Sequence, residues 1–311
     1  MPHRRLKFMV IGAQKAGTTW LHANLSYHPQ VVFPPLKELF YFNEIDAGIP
    51  TSLLGRKTNN HWLNVKWKLL LKEQVPQAAR RGDLAQLGWF MRYLTIPRNL
   101  KPASLDKYDR LFPNVPGKIS GDITPNYSIL SEKTVEAIAD YYPDCKIIFI
   151  MRNPVERSWS QTKMNLGKLK GRKVQNVSKD EIEQYILHDH SNEQLSDYQA
   201  TINCWTKYYP KDQLYFGFYD ALKKDPVAFY RDILTFLTLE DTYDAQELTR
   251  VVFKGAEMKL PLEYKRLLAS KYHSQLTFLA QYFQDHSINY PQQWLTAARQ
   301  LLAHSSSDNL R

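Results

Sequence analysis

The sequence has little cysteine and no long apolar run, and each shortage excludes a class of protein. Only two cysteines, Cys145 and Cys204, occur among 311 residues, and their separation fits no metal-site spacing. Two thiols cannot build a disulfide framework, which favours a reducing compartment. No stretch approaches the ~20 apolar residues of a membrane helix, and Phe8–Ile11 is too short for the apolar segment of a signal peptide. We therefore expect a cytoplasmic protein without a membrane anchor or a metal centre.

The chain also lacks internal repeats, low-complexity tracts and any recognisable nucleic-acid-binding motif. Its composition, with 43% hydrophobic and 23% charged residues, is typical of a globular protein. The formal net charge is +10, which attracts polyanions such as anionic lipid, sulfated glycans or charged nucleotides, and charge alone does not choose among them. We expect no nucleic-acid partner. A length of 311 residues suits one large domain.

Short apolar runs alternate with helical patterns along the chain. The runs predict buried strands at residues 6–11, 31–33, 146–151 and 214–218. Apolar spacing and prolines predict helices from Thr18, from Pro154 to about 165, and over residues 131–142, 226–237 and 262–284. This alternation indicates an α/β fold, a single three-layer domain with a central parallel sheet. Residues 44–118 are interpreted as an irregular, partly helical insertion, a kind of region that commonly carries substrate contacts.

A glycine-bracketed loop follows the first predicted strand and opens the first helix. Residues 12–20 read GAQKAGTTW, so Gly12 and Gly17 enclose Lys15, and two threonines begin the helix. Such a turn offers free backbone N–H groups and the positive end of the helix dipole, which bind anions. The glycine spacing equals that of the ATP-binding loop G-x-x-x-x-G-K-[ST], but Thr18 stands in the lysine's place. The displaced lysine favours one phosphate with an attached sulfate.

The segment QKAGTTW resembles the loop that binds the 5′-phosphosulfate in sulfotransferases that use 3′-phosphoadenosine 5′-phosphosulfate (PAPS). The resemblance implies that Lys15 contacts the 5′-phosphate and its bridging oxygen. It also implies that backbone amides and threonines hold the phosphate and that Trp20 flanks the adenine. The nucleotide-binding residues implied for this loop are Gln14, Lys15, Ala16, Gly17, Thr18, Thr19 and Trp20, and Lys15 is also implied to be catalytic.

A second anion anchor is expected where the sequence Arg152-Asn153-Pro154 follows the strand 146–151. Ligands bind at the carboxyl ends of strands in open α/β sheets, so Arg152 should face the same rim as the glycine loop. Its planar guanidinium suits a phosphate, and Ser160, two helical turns on, can add a hydroxyl. This arginine and serine resemble the 3′-phosphate site of the family, where Asn153 is usually aspartate. The 3′-phosphate distinguishes PAPS from ATP, so the two loops together are a specific signal.

Glu38 is the candidate general base. It lies in residues 37–43 (KELFYFN), directly after the second predicted strand. Sulfuryl transfer from PAPS is an in-line displacement in which the acceptor oxygen or nitrogen loses a proton, and a positioned carboxylate can take that proton. Lys15 would stabilise the charge that grows on the leaving phosphate. The segment resembles the K-E-x-x-[FY]-F stretch of the heparan sulfate and bacterial branches of the family, which implies the same role for Glu38.

Weaker matches imply further contacts. Residues 121–127 (GDITPNY) resemble an active-site segment of the family, but Ile123 stands where the heparan sulfate branch often has a lysine, which weakens the case for a heparan-type acceptor. The stretch from Tyr198 resembles a scaffold region, and residues 253–256 lie where the family has a loop that closes over the nucleotide. The acceptor-binding residues implied are Phe40, Thr124, Tyr127 and Tyr198. Further nucleotide contacts, toward the C-terminus, are implied for Lys254 and Gly255.

The sequence therefore predicts a PAPS-dependent sulfotransferase that acts on a small molecule of a biosynthetic pathway. Three alternatives stay open. A glycan could be the acceptor, because a basic surface also suits an anionic oligosaccharide. A P-loop kinase would need a lysine at position 18 and an acidic Mg²⁺ ligand at a strand end, yet the strongest strand ends in Met151-Arg152. A non-catalytic nucleotide binder would lack catalytic residues, whereas Lys15 and Glu38 are both present.

Overall fold

Five parallel strands form the centre of the molecule. The computed structural model describes residues 4–48, 70–167, 176–250 and 258–308. The strands are β1 (Leu6–Gly12), β2 (Val31–Val32), β3 (Ile119–Ile123), β4 (Lys146–Met151) and β5 (Leu214–Phe218). They pair in the order β2-β3-β1-β4-β5, and each pairing is parallel. The expected α/β fold with a central parallel sheet is confirmed.

Helices flank this sheet and connect its strands. Before β4 they are α1 (Thr18–Tyr27), α2 (Tyr41–Asp46), α3 (Val75–Arg80), α4 (Leu84–Thr95), α5 (Pro102–Asp109) and α6 (Glu132–Tyr141). After β4 they are α7 (Pro154–Thr162), α8 (Lys179–His188), α9 (His190–Gln194), α10 (Tyr198–Tyr208), α11 (Tyr219–Lys224), α12 (Pro226–Leu237), α13 (Ala245–Thr249), α14 (Leu262–Lys271), α15 (His273–Asp285) and α16 (Gln293–Asp308). Short π-helical turns occur at Leu70–Gln74 and Lys163–Gly167, and 3₁₀ turns at Pro125–Ile129 and Lys211–Gln213. Within the described ranges, no helix is both long and apolar enough to span a bilayer.

The position of β1 in the sheet determines where a ligand can bind. The chain leaves β1 for β2 and β3 on one side, and later places β4 and β5 on the other side. In open α/β sheets, ligands bind outside the carboxyl ends of the strands at such a switch point. The glycine loop follows β1, Thr124 follows β3 and Arg152 follows β4, so all three lie at one rim of the sheet.

The apolar pattern does not predict β3, which lies between β2 and β1. Its sequence, ISGDI, contains a glycine and an aspartate, which are depleted in strands. Gly121 is needed for close approach, because a Cβ there would lie 2.2 Å from the Phe8 ring. Asp122 is buried and accepts hydrogen bonds from the hydroxyls of Tyr108 at 2.6 Å and Tyr127 at 2.8 Å. Tertiary contacts therefore outweigh the weak strand propensity of this segment.

The predicted insertion at residues 44–118 is largely helical where the structure describes it, and residues 49–69 lie outside the described residues. Helices α3, α4 and α5, the end of α2 and a π-helical turn occupy most of the rest. Trp89, Phe90, Tyr93 and Leu94 of α4 fall on one face and are buried in the same hydrophobic core as the sheet. The described part of the segment is thus packed into the core of the sheet domain.

The single helix predicted at residues 262–284 is wrong, because two helices occupy this range. Tyr272 separates α14 from α15 with φ −100° and ψ 8°. Its ring is buried, and its hydroxyl donates to the Ser196 hydroxyl at 3.1 Å. This side-chain anchor coincides with the break between the two helices. The helix predicted from Pro154 is α-helical as far as Thr162, and the chain continues as the π-helical turn Lys163–Gly167.

Candidate active site

The loop between β1 and α1 is shaped to present backbone N–H groups. Gly17 precedes α1 with φ 93°, a left-handed conformation that favours glycine. A Cβ at this position would also lie 2.7 Å from the Leu222 side chain. In the described part of the chain, no side chain caps the start of α1, and its first turn holds no acid. The first N–H groups of the helix are therefore available to an anion.

Arg152 joins this loop to the end of β4, which pairs directly with β1. Its Nη1 donates to the carbonyl oxygen of Lys15 at 3.3 Å, and its Nη2 forms a salt bridge with Glu156 at 3.1 Å. Its guanidinium carbon lies 5.0 Å from the centre of the Tyr219 ring. Asn153, where the family usually has aspartate, accepts from a backbone N–H and caps α7. The structure thus brings the two sequence-predicted anion anchors side by side.

Further groups gather around these two anchors. The Lys15 Nζ lies 3.5 Å from the sulfur of Met164, in the same π-helical turn as Lys163. Burial and then the nearby Arg152 charge lower the pKa of Lys163, so these two cations are close enough to repel each other. Ser160, on the last turn of α7, is half-buried. π-helical turns are frequent at functional sites, and this one contacts the Lys15 side chain of the glycine loop through Met164.

Glu38 is connected to the glycine loop through Lys37. The Nζ of Lys37 donates to the Thr19 hydroxyl at 2.8 Å and forms a salt bridge with a Glu38 carboxylate oxygen at 3.3 Å. The side chain of Glu38 is 35% exposed, so its carboxylate is accessible to an acceptor. One lysine therefore ties the candidate base to the first turn of α1.

The backbone around Glu38 is strained. Glu38 and Phe40 have φ values of 58° and 54°, in a region that costs a non-glycine residue roughly 1–2 kcal/mol. Between them, the carbonyl oxygen of Leu39 accepts a hydrogen bond from the Tyr93 hydroxyl at 2.6 Å. Strain of this kind persists only where the surrounding structure holds it, and it is common at functional sites.

A buried ion pair supports Tyr93 in turn. The Nε of Arg98 donates to a Glu44 carboxylate oxygen at 2.5 Å, and both side chains are fully buried. Arg98 also donates to the Tyr93 carbonyl oxygen at 3.1 Å, and the Tyr93 hydroxyl lies 3.3 Å from Glu44. Breaking such a buried pair by removing one partner is strongly destabilising. The segment that carries Glu38 is therefore fixed to α4.

Trp20, predicted beside the adenine, lies among core aromatic rings. It packs against Phe229 and Tyr230, and its Nε1 donates to the carbonyl oxygen of Leu248 at 2.9 Å. Only 9% of the residue is exposed. Contact between Trp20 and a nucleotide stays a prediction.

The predicted acceptor contacts are buried, with at most 5% of each residue exposed: Phe40, Thr124, Tyr127 and Tyr198. Thr124 and Tyr127 donate to Asp122 at 2.7 and 2.8 Å, and Tyr198 donates to the Arg152 carbonyl oxygen at 2.8 Å. Burial raises the pKa of both tyrosines, so their hydroxyls stay protonated as donors. These residues are buried in the fold, and direct contact with an acceptor stays a prediction.

Two other groups of predicted residues complete the placement. The Gln14 Oε1 is buried and has no hydrogen-bond partner among the described residues. Lys254 and Gly255 lie outside the described residues. Over the described ranges, no three His, Cys, Asp or Glu side chains are grouped as a metal site would need.

Three residues at the site, Lys37, Lys163 and Tyr219, are not among the sequence-derived candidates. Lys37 has a usable signal, because it directly precedes Glu38 in the KELFYFN segment. Lys163 and Tyr219 have none, because only the strand order brings the π-helical turn and α11 beside the glycine loop. Tyr219 lies so close that a Cβ at Gly17 would be 3.3 Å from its ring.

Solved structures of other proteins share the fold of this chain. A sulfotransferase from Alicyclobacillus acidocaldarius superposes with a TM-score of 0.62 and 21% identity, over 96% of this chain and 100% of that one. The sulfotransferase domain of the Synechococcus PCC 7002 olefin synthase gives a TM-score of 0.50 and 16% identity, over 98% of this chain and 97% of that one. At these identities the likeness concerns the fold.

Sequence comparisons identify the family. The membrane-associated sulfotransferase kil1 of Dictyostelium discoideum is 26% identical over 166 residues, which is 53% of this chain and 24% of that protein. The chain thus matches about a quarter of the length of this relative. A model of the sulfotransferase family matches residues 8–244, a range that contains the glycine loop, Glu38 and Arg152. The chain therefore belongs to the sulfotransferase family.

Proposed function

We propose that this sulfotransferase takes the sulfuryl group from PAPS and transfers it to a hydroxyl or amine of a small molecule. The main support is the hydrogen bond from Arg152 to the Lys15 carbonyl oxygen at 3.3 Å, because it joins two anion anchors at neighbouring strand ends. PAPS carries phosphate at both the 5′ and the 3′ position of one adenosine, whereas ATP carries phosphate at the 5′ position alone. Two adjacent anchors suit the first nucleotide better.

The residues present fit such a nucleotide. The uncapped start of α1 and the Lys15 amine would bind the 5′-phosphate. Arg152 and Ser160 would bind the 3′-phosphate, the arginine through charge-assisted hydrogen bonds. The other loop contacts in this proposal are Gln14, Ala16, Gly17, Thr18, Thr19 and Trp20. Lys254 and Gly255, toward the C-terminus, are the remaining nucleotide contacts. When bound, PAPS supplies an activated sulfuryl group with a phosphate as its leaving group.

Glu38 accepts the proton of the attacking hydroxyl or amine in this proposal. Lys37 bonds to both Glu38 and the Thr19 hydroxyl, so it orients the base against the start of α1. Lys15 stabilises the negative charge that develops on the leaving phosphate oxygen. The strained backbone around Leu39, held by Tyr93, limits the directions in which the Glu38 carboxylate can point.

A glycan acceptor is the second candidate, and the net charge of +10 supports it. The two acceptor classes differ in their dependence on salt, because binding of a polyanion by many surface cations weakens as the Debye length shortens. Affinity for heparin-like chains that falls steeply between low and physiological salt would favour the glycan. Negligible binding of such chains at low salt would favour the small molecule.

The structure also bears on the kinase alternative. β3 is the other neighbour of β1, and its next-to-last residue is Asp122. A Mg²⁺ site would use an acid at such a strand end. Its carboxylate accepts hydrogen bonds from Tyr108, Tyr127 and Thr124, and the residue is 2% exposed. Asp122 is therefore committed to the core, which speaks against Mg²⁺-ATP as the nucleotide.

Calorimetric titration with adenosine 3′,5′-bisphosphate, beside Mg²⁺-ATP, tests the proposal. We expect the bisphosphate to bind at least about tenfold more tightly, a difference of about 1.4 kcal/mol. A preference for Mg²⁺-ATP, or no binding of the bisphosphate, would overturn it.

We also propose a cytoplasmic location, although the Dictyostelium relative is named as membrane-associated. Fractionation of cells that express the natural protein tests this proposal. Recovery in the membrane pellet would contradict it.

A further inference from the structure

Arg157 is a fully buried cation on the helix that follows Arg152. Its Nε donates to the Ser196 hydroxyl at 2.9 Å, its Nη1 to the Gln161 Oε1 at 2.5 Å, and its Nη2 to the carbonyl and side-chain oxygens of Asn192. Each of these acceptors is neutral. Among the described residues, no carboxylate forms a salt bridge with Arg157. A buried charge without a counter-ion is costly, and proteins rarely retain one without a use for it.

The charge of Arg157 interacts with the charge of the Arg152 anchor. Burial is the main cause that lowers the pKa of Arg157; Tyr198, Tyr272 and Tyr185 act in the opposite direction, and the nearby Arg152 guanidinium adds a smaller lowering. The same Arg152 charge lowers the pKa of Lys163. Among these cations, Arg152 forms a salt bridge with an acid, Glu156. The end of β4 and the start of α7 therefore hold more positive charge than Glu156 can balance.

The hydrogen bonds that hold Arg157 also reach the rim itself. Ser196 accepts from Arg157, and its carbonyl oxygen accepts from the Gln275 side chain at 2.6 Å. The Gln275 Oε1 accepts from the backbone N–H of Tyr198 at 3.0 Å, and the Tyr198 hydroxyl donates to the Arg152 carbonyl oxygen at 2.8 Å. A continuous polar network thus fixes the buried cation relative to the anchor.

We infer that Arg157 is a buried counter-charge for the phosphate that binds at Arg152 and Ser160, and that it acts through the electric field instead of through contact. This inference rests on the proposed function. In the low-dielectric interior beneath the rim, a charge acts over a longer distance than it does in water. Arg157 would therefore strengthen binding of a phosphate at the 3′ position more than binding of one at the 5′ position. Arg157 is a positioning and specificity residue in this assignment.

The most direct test is the substitution Gln161→Glu. The change is isosteric and gives Arg157 a carboxylate partner, which none of the described residues provides, while it keeps an oxygen in the place of the Gln161 Oε1 that accepts from Arg157. If Arg157 serves the bound phosphate, an internal partner competes with that role. Arg157→Gln removes the charge directly, and Ser196→Ala removes one hydrogen bond to Arg157 while keeping the charge. Arg92→Gln, at an exposed position of α4, is the control for the loss of one positive charge from the whole protein.

The measurement is the ratio of the Kd of adenosine 5′-phosphate to the Kd of adenosine 3′,5′-bisphosphate, by calorimetry. We expect this ratio to fall by about fivefold to tenfold in Gln161→Glu and in Arg157→Gln, and to keep its wild-type value in Ser196→Ala and Arg92→Gln. A purely structural role would weaken both nucleotides alike and leave the ratio unchanged in Gln161→Glu, which would overturn the inference. Failure of the wild-type protein to bind the bisphosphate would instead overturn the proposed function, so the two failures are distinguishable.

Discussion

Two segments at the rim of the sheet adopt left-handed backbone for different reasons. In the loop after β1, Gly17 adopts a left-handed φ of 93°, and its glycines reveal the turn in the sequence alone. Lys15 in the same loop is also left-handed, at φ 71°. In the segment after β2, Glu38 and Phe40 adopt φ values of 58° and 54° without any glycine. The conformation of Gly17 is inexpensive because the residue has no Cβ, whereas those of Glu38 and Phe40, like that of Lys15, are maintained against a steric penalty.

The difference lies in what supplies the stabilising free energy. The Glu38 segment depends on the Tyr93 hydroxyl, which holds the Leu39 carbonyl, and on the buried pair of Glu44 and Arg98. These groups come from α2, from α4 and from the residues just after α4. The turn at Gly17 in the proposed nucleotide-binding loop is thus encoded locally, whereas the candidate base depends on contacts between distant parts of the chain. Five substitutions test how these two segments and the residues around them work.

Glu38→Gln should have the largest effect. It removes the proposed proton acceptor at constant size, so we expect turnover to fall by about 10³-fold while bisphosphate affinity stays within about twofold. Sulfate transfer or release from labelled PAPS measures the turnover, and calorimetry measures the affinity. Glu136→Gln, on an exposed position of α6, is the matched control. Unchanged turnover in Glu38→Gln would remove Glu38 from the mechanism.

Lys15→Ala should follow. It removes the cation proposed to stabilise the leaving phosphate, and we expect turnover to fall by about 10²-fold with a change of less than about 1 kcal/mol in the free energy of unfolding. The same sulfate assay and a urea titration measure the two quantities. Lys133→Ala, exposed on α6, serves as the control. Wild-type activity in the Lys15 variant would contradict the site assignment.

Arg152→Ala should act mainly on binding. Loss of charge-assisted hydrogen bonds to the 3′-phosphate should raise the Kd of the bisphosphate by about 30-fold, with a smaller change in turnover at saturating PAPS. Glu156→Gln removes the salt-bridge partner of Arg152 and should leave the affinity unchanged or improved. Equal losses in both variants would show that the salt bridge, and not a phosphate contact, explains the effect.

Gly17→Ala tests the locally encoded segment through stability. We expect a loss of about 2 kcal/mol or more in the free energy of unfolding, from the left-handed backbone and from the contact of the new Cβ with Leu222. Gly117→Ala has a similar φ of 74° but open space around the Cβ, so it isolates the backbone cost at about 1 kcal/mol. Urea unfolding measures both values. Equal losses would show that packing against Leu222 contributes nothing.

Tyr93→Phe tests the segment held by tertiary contacts and should cost less stability than Gly17→Ala. Loss of the hydrogen bond to Leu39 should cost about 1 kcal/mol and lower turnover by about tenfold through misplacement of Glu38. Tyr41→Phe is the matched control, because its hydroxyl donates to the Pro97 carbonyl oxygen at 3.0 Å, away from Glu38. If both variants lose turnover equally, Tyr93 has no special role in positioning the base.

Much of the fold could be predicted because its signals are local. β4 and β5 occupy the predicted residues, and α12 does as well, because a buried strand or an amphipathic helix is recorded in neighbouring side chains. β3 could not be predicted, since its glycine and aspartate suit a strand only when Phe8 and two tyrosine hydroxyls surround them. Likewise, the break at Tyr272 coincides with a hydrogen bond to Ser196, 76 residues away.

The amino-acid sequence alone predicts the glycine loop, the apolar strands that flank it, and Glu38 and Arg152 as candidate residues. Each of these depends on residue chemistry within a few positions of the chain. Only the folded structure shows that Arg152 contacts the Lys15 carbonyl, that Lys37 connects Glu38 to Thr19, and that Arg157 is buried without a carboxylate partner among the described residues. These features depend on the strand order and on contacts between residues far apart in sequence. Such contacts leave no local pattern, because their free energy comes from burial and charge in the assembled core.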